Sequence, residues 1–366
     1  VIQLSYYYST NLRTFDLRFT YEKRLTECVH RQEQDLMKST RFVIRAIAAA
    51  LTLGAVTLGV AHAQSFPSRP LTLVVPYPTA GAADIFGRSI AQAMEATLKQ
   101  NVIVENKPGA AGNVGLTFVA RSKPDGYTIG LGTIGSQAIN QFIYSQMQFD
   151  PATDLVPIAL VSTTPNVLVV SANSPWKNLG DVLAAARAAG KDKKLSYGTP
   201  GIGSSPHLTG AYLEAMAGVE LLHVPFKGVS ASMPALIGGQ IDLLFDNLSG
   251  SIAQIKDGSR VRGIAVTSLE RSPLLPTLPS FAEGGVKGFD VTAWFAIYAP
   301  KGTPQPVMDK LIEAARVGLK SEKVIQAYER LAAVPGNLFG PDLAKFEAAE
   351  RAKWGKLIKE RDIKAE

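Results

Sequence analysis

Past residue 63, few side chains could do covalent or acid–base chemistry. His207 and His223 are the only imidazoles there, and the one cysteine, Cys28, lies upstream. Ser204 precedes His207 by three residues in "YGTPGIGSSPHL", and a hydroxyl with an imidazole base in reach is the pairing of acyl-transfer enzymes. The G-x-S-x-G elbow that would present such a serine is missing, so His207 is expected to cap or pack. His223 sits inside the apolar stretch "ELLHVPF", the usual place of a satisfied core histidine. Carboxylates are dispersed, with no His, Cys, Asp or Glu cluster at metal-ligand spacing, and no metal is expected. "GLGTIG" (130–135) matches G-x-G-x-x-G after a strand. A dinucleotide site would also need an acidic residue closing the next strand, about 20 residues on. Asp150 and Asp154 stand near that distance, but "QMQFDPATD" before them is no apolar strand. No catalytic constellation survives, and no cofactor is expected.

What recurs is a strand, a turn of small residues and a helix start. In "LTLVVPYPTAGAADIFGR" the turn runs from Tyr77 through Thr79, Ala80, Gly81, Ala82 and Ala83 to Asp84. In "KLSYGTPGIGSSPH" it holds Thr199, Gly201, Gly203, Ser204 and Ser205, with His207 just beyond. The first N–H groups of a helix have no partner within it, and small side chains leave them open to an anion. Two such turns facing one cleft suit a ligand with carboxylates. Gly81 is expected to supply the backbone freedom of the first turn, where a bulky residue would obstruct the donors and strain φ. Asp84 is placed to cap the helix.

These turns need a frame of α/β type. Leu71–Val75 reads as a buried strand, and Phe86, Ile90, Met94 and Leu98 fall four apart, one stripe of a helix. Strands around Val102–Val104 and "YTIGLGT" complete a mostly parallel unit, and the second turn opens a similar one. The apolar segments Val161–Val170 and Phe289–Pro300 are expected to be two crossings between lobes. Lobe 1 is then 64–165 and 290–366, with the C-terminal helices packed back on it, and lobe 2 is 166–289. A chain of 366 residues has room for two cores.

The N-terminus reads as a leader. Met37, Lys38, Arg41 and Arg45 form a basic start, Ala46–Val60 is apolar, and Ala61-His62-Ala63 precedes Gln64 as an A-x-A cleavage site. Residues 37–63 are therefore expected to be a signal peptide and 1–36 an over-extended start. The formal charge of +7 comes from 38 Lys and Arg against 31 Asp and Glu; eight and five of these precede Gln64, which leaves +4. The case for a nucleic-acid partner weakens accordingly, and a mature chain without cysteine carries neither disulfide nor lipid anchor. A ligand-sensing regulator would need a helix-turn-helix where the leader stands.

The motifs "VVPYPTAGAADIFGR", "VENKPGAAGNVG", "KPDGYTIGLGT", "YGTPGIGSSPHL", "HVPFKG", "IGGQIDLLFDNL", "GIAVTSLERSPLLPTLPSFAEGG" and "APKGTP" stand in this order. Together they resemble the substrate-binding proteins of tripartite tricarboxylate transporters, the Bug proteins, from about Pro70 to the C-terminus. The resemblance implies a two-lobed periplasmic Venus-flytrap receptor, monomeric and not inserted in the membrane, that delivers a small carboxylate to inner-membrane permease subunits. It also implies side-chain contacts from Thr133, Ser136 and Asp246. Where that family usually has Gly-Gly, this chain has Ala80-Gly81, and the added methyl is expected to narrow the pocket. The competing class is a periplasmic α/β enzyme, a hydrolase or a nicotinamide-dependent one, which turnover would reveal.

Overall fold

The computed structural model describes His30, Arg31, Leu36, Met37 and residues 66–189, 193–361 and 363–364. Past Met37 the leader, with its cleavage site, lies outside the described residues. The chain divides into two units, 1–65 and 66–366, and the second carries the fold.

Its first sheet grows from β1 (Leu71–Val75), which pairs in parallel with β2 (Val102–Asn106) and β3 (Thr128–Thr133). Between β1 and β2 runs α1 (Ala82–Leu98), whose stripe Phe86, Ile90, Met94 and Leu98 is buried against the sheet and α8 (Gln305–Leu319). Each such side chain contributes roughly 1.5–3 kcal/mol by leaving water, which fixes the direction of α1 and the place of its N-terminus. A short helix, α2 (Asn113–Ala120), precedes β3, and a π-type turn, Gly135–Ile139, follows it and runs into α3 (Asn140–Ile143). The sheet is mixed, because β9 (Thr292–Pro300) inserts antiparallel between β3 and β4 (Leu155–Ser171).

The pairing of β4 changes partway along its 17 residues. From Leu155 to Pro165 it lies against β9, and from Asn166 onward against β7 (Leu243–Asn247) and β8 (Val261–Val266). The second sheet continues in parallel through β5 (Leu195–Thr199) to β6 (Leu221–Pro225). It carries α4 (Leu179–Ala189), α5 (Ser205–Ala217), α6 (Val229–Ile237) and α7 (Leu248–Asp257). β4 thus crosses between the halves of the sheet as its apolar run suggests. The segment Phe289–Pro300 does so only at its start, since β9 stays wholly in the first half. The rest of its continuous apolar pattern belongs to a central strand, in which every residue from Ala293 to Pro300 is buried. The chain returns between halves at Val291, whose N–H donates to Thr267 O at 3.0 Å.

The C-terminal elements α8, α9 (Glu322–Glu329), β10 (Val334–Pro335) and α10 (Gly340–Arg361) pack on the first half. Trp294 of β9 donates its indole N–H to Glu350 of α10 at 3.0 Å, and Trp354 donates to the same carboxylate at 3.1 Å. Among the described residues no helix is long and apolar enough to cross a membrane.

Candidate functional site

The first loop links β1 to α1 without a capping side chain. Gly81 is the N-cap residue at φ −86° and ψ 169°, and no side chain accepts from the turn above it. The opening N–H groups of α1 are therefore left for a ligand. The expectation about Gly81 is corrected here: its backbone is one that any residue adopts, and a Cβ would meet only Pro78 O at 4.0 Å. The left-handed residue is Ala80, at φ 67°. Alanine in that region costs about 1–2 kcal/mol, so another contact must hold it. Asp84 does so, accepting the Ala80 N–H on Oδ2 at 3.1 Å. The same carboxylate takes Arg88 Nε at 3.1 Å and Asn106 Nδ2 at 2.9 Å, and Asn106 Nδ2 also donates to Tyr77 O at 3.0 Å. Burial pushes the Asp84 carboxyl up, but hydrogen bonds from Arg88, Asn106 and the Ala80 N–H outweigh it and hold it below its ordinary value. Asp84 thus ties down the loop from behind.

The second loop is built from the same parts in another arrangement. Ser204 caps α5: its hydroxyl donates to Gly201 O at 2.6 Å and accepts the His207 N–H at 3.4 Å. Gly201 and Gly203 carry φ of 149° and 81°, which side chains would resist. His207 Nδ1 accepts the Gly203 N–H at 3.2 Å. Its ring stacks on His223 at 4.1 Å, and His223 Nε2 meets Thr199 Oγ1 at 2.7 Å. Burial holds His207 down to about 4; burial and then the neighbouring His207 hold His223 down to about 3. Both are neutral at pH 7 and act as props beneath the loop.

A cavity of about 60 Å³ lies between these loops. From the first loop Tyr77, Pro78, Thr79, Gly81, Ala82 and Ala83 face it, and from the second Pro200, Ser204, Ser205 and Pro206. Thr133 and Asp246 also reach the wall. Seven residues singled out from the sequence stand off the wall: Ala80, Asp84, Ser136, Thr199, Gly201, Gly203 and His207. Ala80 is exposed, so its methyl does not narrow the cavity as expected. Ser136 is fully buried and exchanges hydrogen bonds with Thr133, accepting its N–H at 2.9 Å and donating to its carbonyl at 3.2 Å. That leaves the Thr133 hydroxyl to meet Tyr77 Oη at 2.8 Å, while Tyr77 donates to Ala111 O at 2.9 Å. Burial is the main cause that pushes the Tyr77 phenol up to about 12.

Sequence reasoning missed part of the wall. Gly228, Val229 and Ser230 open α6 there, Asn247 stands beside Asp246 before α7, and Ile134, Ala293, Trp294 and Phe295 form an apolar side. The signal for the first group is present in "HVPFKGVS", again a strand, a glycine and a helix start, with Gly228 at φ 91°. The N-terminal ends of α1, α5, α6 and α7 thus meet at one cavity. Each carries roughly half a positive charge, and no Lys, Arg or His stands on the wall. The one ionisable carboxyl there, Asp246, accepts Ser251 Oγ–H at 2.5 Å. Burial pushes its pKa up to about 6, with hydrogen bonds from Ser251 and the Asn247 N–H opposing.

A two-lobed α/β frame around a cavity where helix N-termini meet is the architecture of a solute-binding receptor. The family model for the tripartite tricarboxylate transporter family receptor matches residues 86–363, and the chain belongs to that family. A curated relative from Pseudomonas sp. (strain P51), a UPF0065 protein of the tcbD-tcbE intergenic region, is 36% identical over 326 residues, covering 89% of this chain and 95% of its own length. Among solved structures, the periplasmic binding protein BugD is 37% identical with a TM-score of 0.76, covering 82% of this chain and 100% of its own. R. palustris Rpa4515, solved with adipate, is 34% identical with a TM-score of 0.78, covering 82% and 99%. The family is one of solute-binding receptors, and the fold matches periplasmic binding proteins.

Proposed function

We propose that this receptor binds a small dicarboxylate and delivers it to the permease subunits of a tripartite tricarboxylate-type transporter in the inner membrane. It works in the periplasm after cleavage before Gln64. One observation carries the choice of ligand: four helix N-termini converge on a cavity that has no cationic side chain on its wall. Backbone donors stabilise a carboxylate without a counter-charge that would itself need desolvating. The apolar side made by Ile134, Trp294 and Phe295 suits a short hydrocarbon spacer, such as that of the adipate held by the R. palustris relative. The ligand-binding set is Tyr77, Thr79, Gly81, Ala82, Thr133, Ser204 and Asp246, with Ala80, Asp84, Ser136, Thr199, Gly201, Gly203 and His207 shaping the loops. The lobes are 64–165 with 290–366, and 166–289, and they close on the ligand by a hinge. The receptor binds without turnover, because Ser204 gives its proton to Gly201 O and His207 is engaged by the Gly203 N–H, so neither serves the other. A thermal-shift screen of succinate, glutarate, adipate, citrate and benzoate tests this: a dicarboxylate should raise the melting temperature and be recovered unchanged. No shift with any acid, or consumption of the ligand, would overturn it.

A further inference from the structure

The segment that follows β3 and the second cradle loop meet closely through backbone. Gly135 opens the helical segment after β3 and is not among the left-handed glycines, so its conformation welcomes any residue. A methyl on its Cα would nevertheless overlap the carbonyl oxygen of Gly203 in the opposite loop. Gly203 in turn seats against Asn140, whose Oδ1 occupies the space a side chain would need. Asn140 is held there by its own amide, which donates to Asn113 Oδ1 at 2.7 Å and to Ala111 O at 3.2 Å. Beside them Tyr144 Oη donates to Ile202 O at 3.3 Å. The contacts of Gly135, Asn140 and Tyr144 with residues 202–203 join the β1–β3–β9 half of the sheet to the β5–β7 half, while the Asn140 amide bonds stay within the first half. Glycine is a poorer helix former than alanine, and Gly135 gains nothing from its freedom of φ, so its use lies in the close approach.

We infer that Gly135 is the positioning residue that lets the cleft shut: its bare Cα allows the 134–143 segment to seat on the Gly203 peptide, which brings the two cradles to bonding distance of one ligand. The inference rests on the receptor reading above. The overlap arises only where the halves touch, so a methyl at this position stops them short of contact.

Gly135→Ala in the mature protein tests this with adipate, glutarate and succinate as probes. The variant should melt, without acid, at or above the wild-type temperature. Its affinity for the acid that wild type binds should fall at least tenfold, and its scattering radius at saturating acid should stay at the ligand-free value. Binding within twofold of wild type with equal compaction would overturn the inference. So would a lower melting temperature without acid, since the methyl would then clash in the open form too. If wild type takes none of the three acids, the dicarboxylate reading fails, and hydrogen exchange without ligand decides the contact. Exchange at 201–204 then reads the time the empty cleft spends shut: faster exchange in Gly135→Ala supports the contact, and identical exchange in the two proteins refutes it.

Discussion

Asp246→Asn exchanges a buried carboxyl for a neutral group of the same shape. Asn keeps an oxygen to accept the Ser251 hydroxyl, which lies 2.5 Å from Asp246 Oδ2. Burial raises the Asp246 pKa from 3.8 to about 6. A shift of this size is worth ~3 kcal/mol at 1.36 kcal/mol per unit. The folded state holds the proton more tightly than the unfolded chain, so the favourable contribution is complete below about 3.8 and is lost as pH rises through about 6. Above that the wild type carries a constant penalty that Asn does not. Asp246→Asn should therefore match the wild type near pH 4 and exceed it by about 3 kcal/mol at pH 8. A dianionic ligand should also bind the wild type less well at pH 8 than at pH 6, and the variant should lose that dependence. Chemical denaturation across pH 4–8, with and without acid, reads both effects. Parallel pH curves for the two proteins would refute the reasoning, since Asp246 would then titrate alike in the folded and unfolded chains.

Three further outcomes follow from the loops and the leader. Ala80→Gly relieves a left-handed alanine at φ 67°, offset in part by the freer unfolded chain, so urea unfolding should show a gain of up to ~1 kcal/mol. Asp84→Ala releases the Ala80 N–H together with Arg88 and Asn106; it should lower stability by about 2 kcal/mol, as for hydrogen bonds to a charged group, and weaken ligand binding in the same calorimetric series. Intact mass of periplasmic protein should place the N-terminus at Gln64, and a mass retaining residues 1–36 would contradict the leader.

Local pattern made some of this structure legible and left other parts hidden. The stripe Phe86, Ile90, Met94 and Leu98 located α1, because its four-residue spacing has one helical meaning. Both small-residue turns were readable, because a helix start after a strand always leaves open donors. The direction of individual side chains was not readable: Asp84, Ser136 and His207 are close in sequence to the wall yet turn away from it into hydrogen bonds with Ala80, Thr133 and Gly203. Trp294 and Phe295 were missed as lining for a different reason. They reach the cavity only because β9 inserts beside β3, more than 150 residues earlier in the chain, and no local spacing encodes that pairing. The strain at Ala80 was hidden too, since Gly81 beside it looked like the residue that needed freedom.

The central claim, that a carboxylate is held by main-chain donors in a cavity without a cation, is tested most directly by calorimetric titration of succinate, glutarate and adipate beside their diamides. The account predicts saturable binding of at least one acid and none of its diamide. Equal binding of acid and diamide, or no binding of any acid, would contradict it.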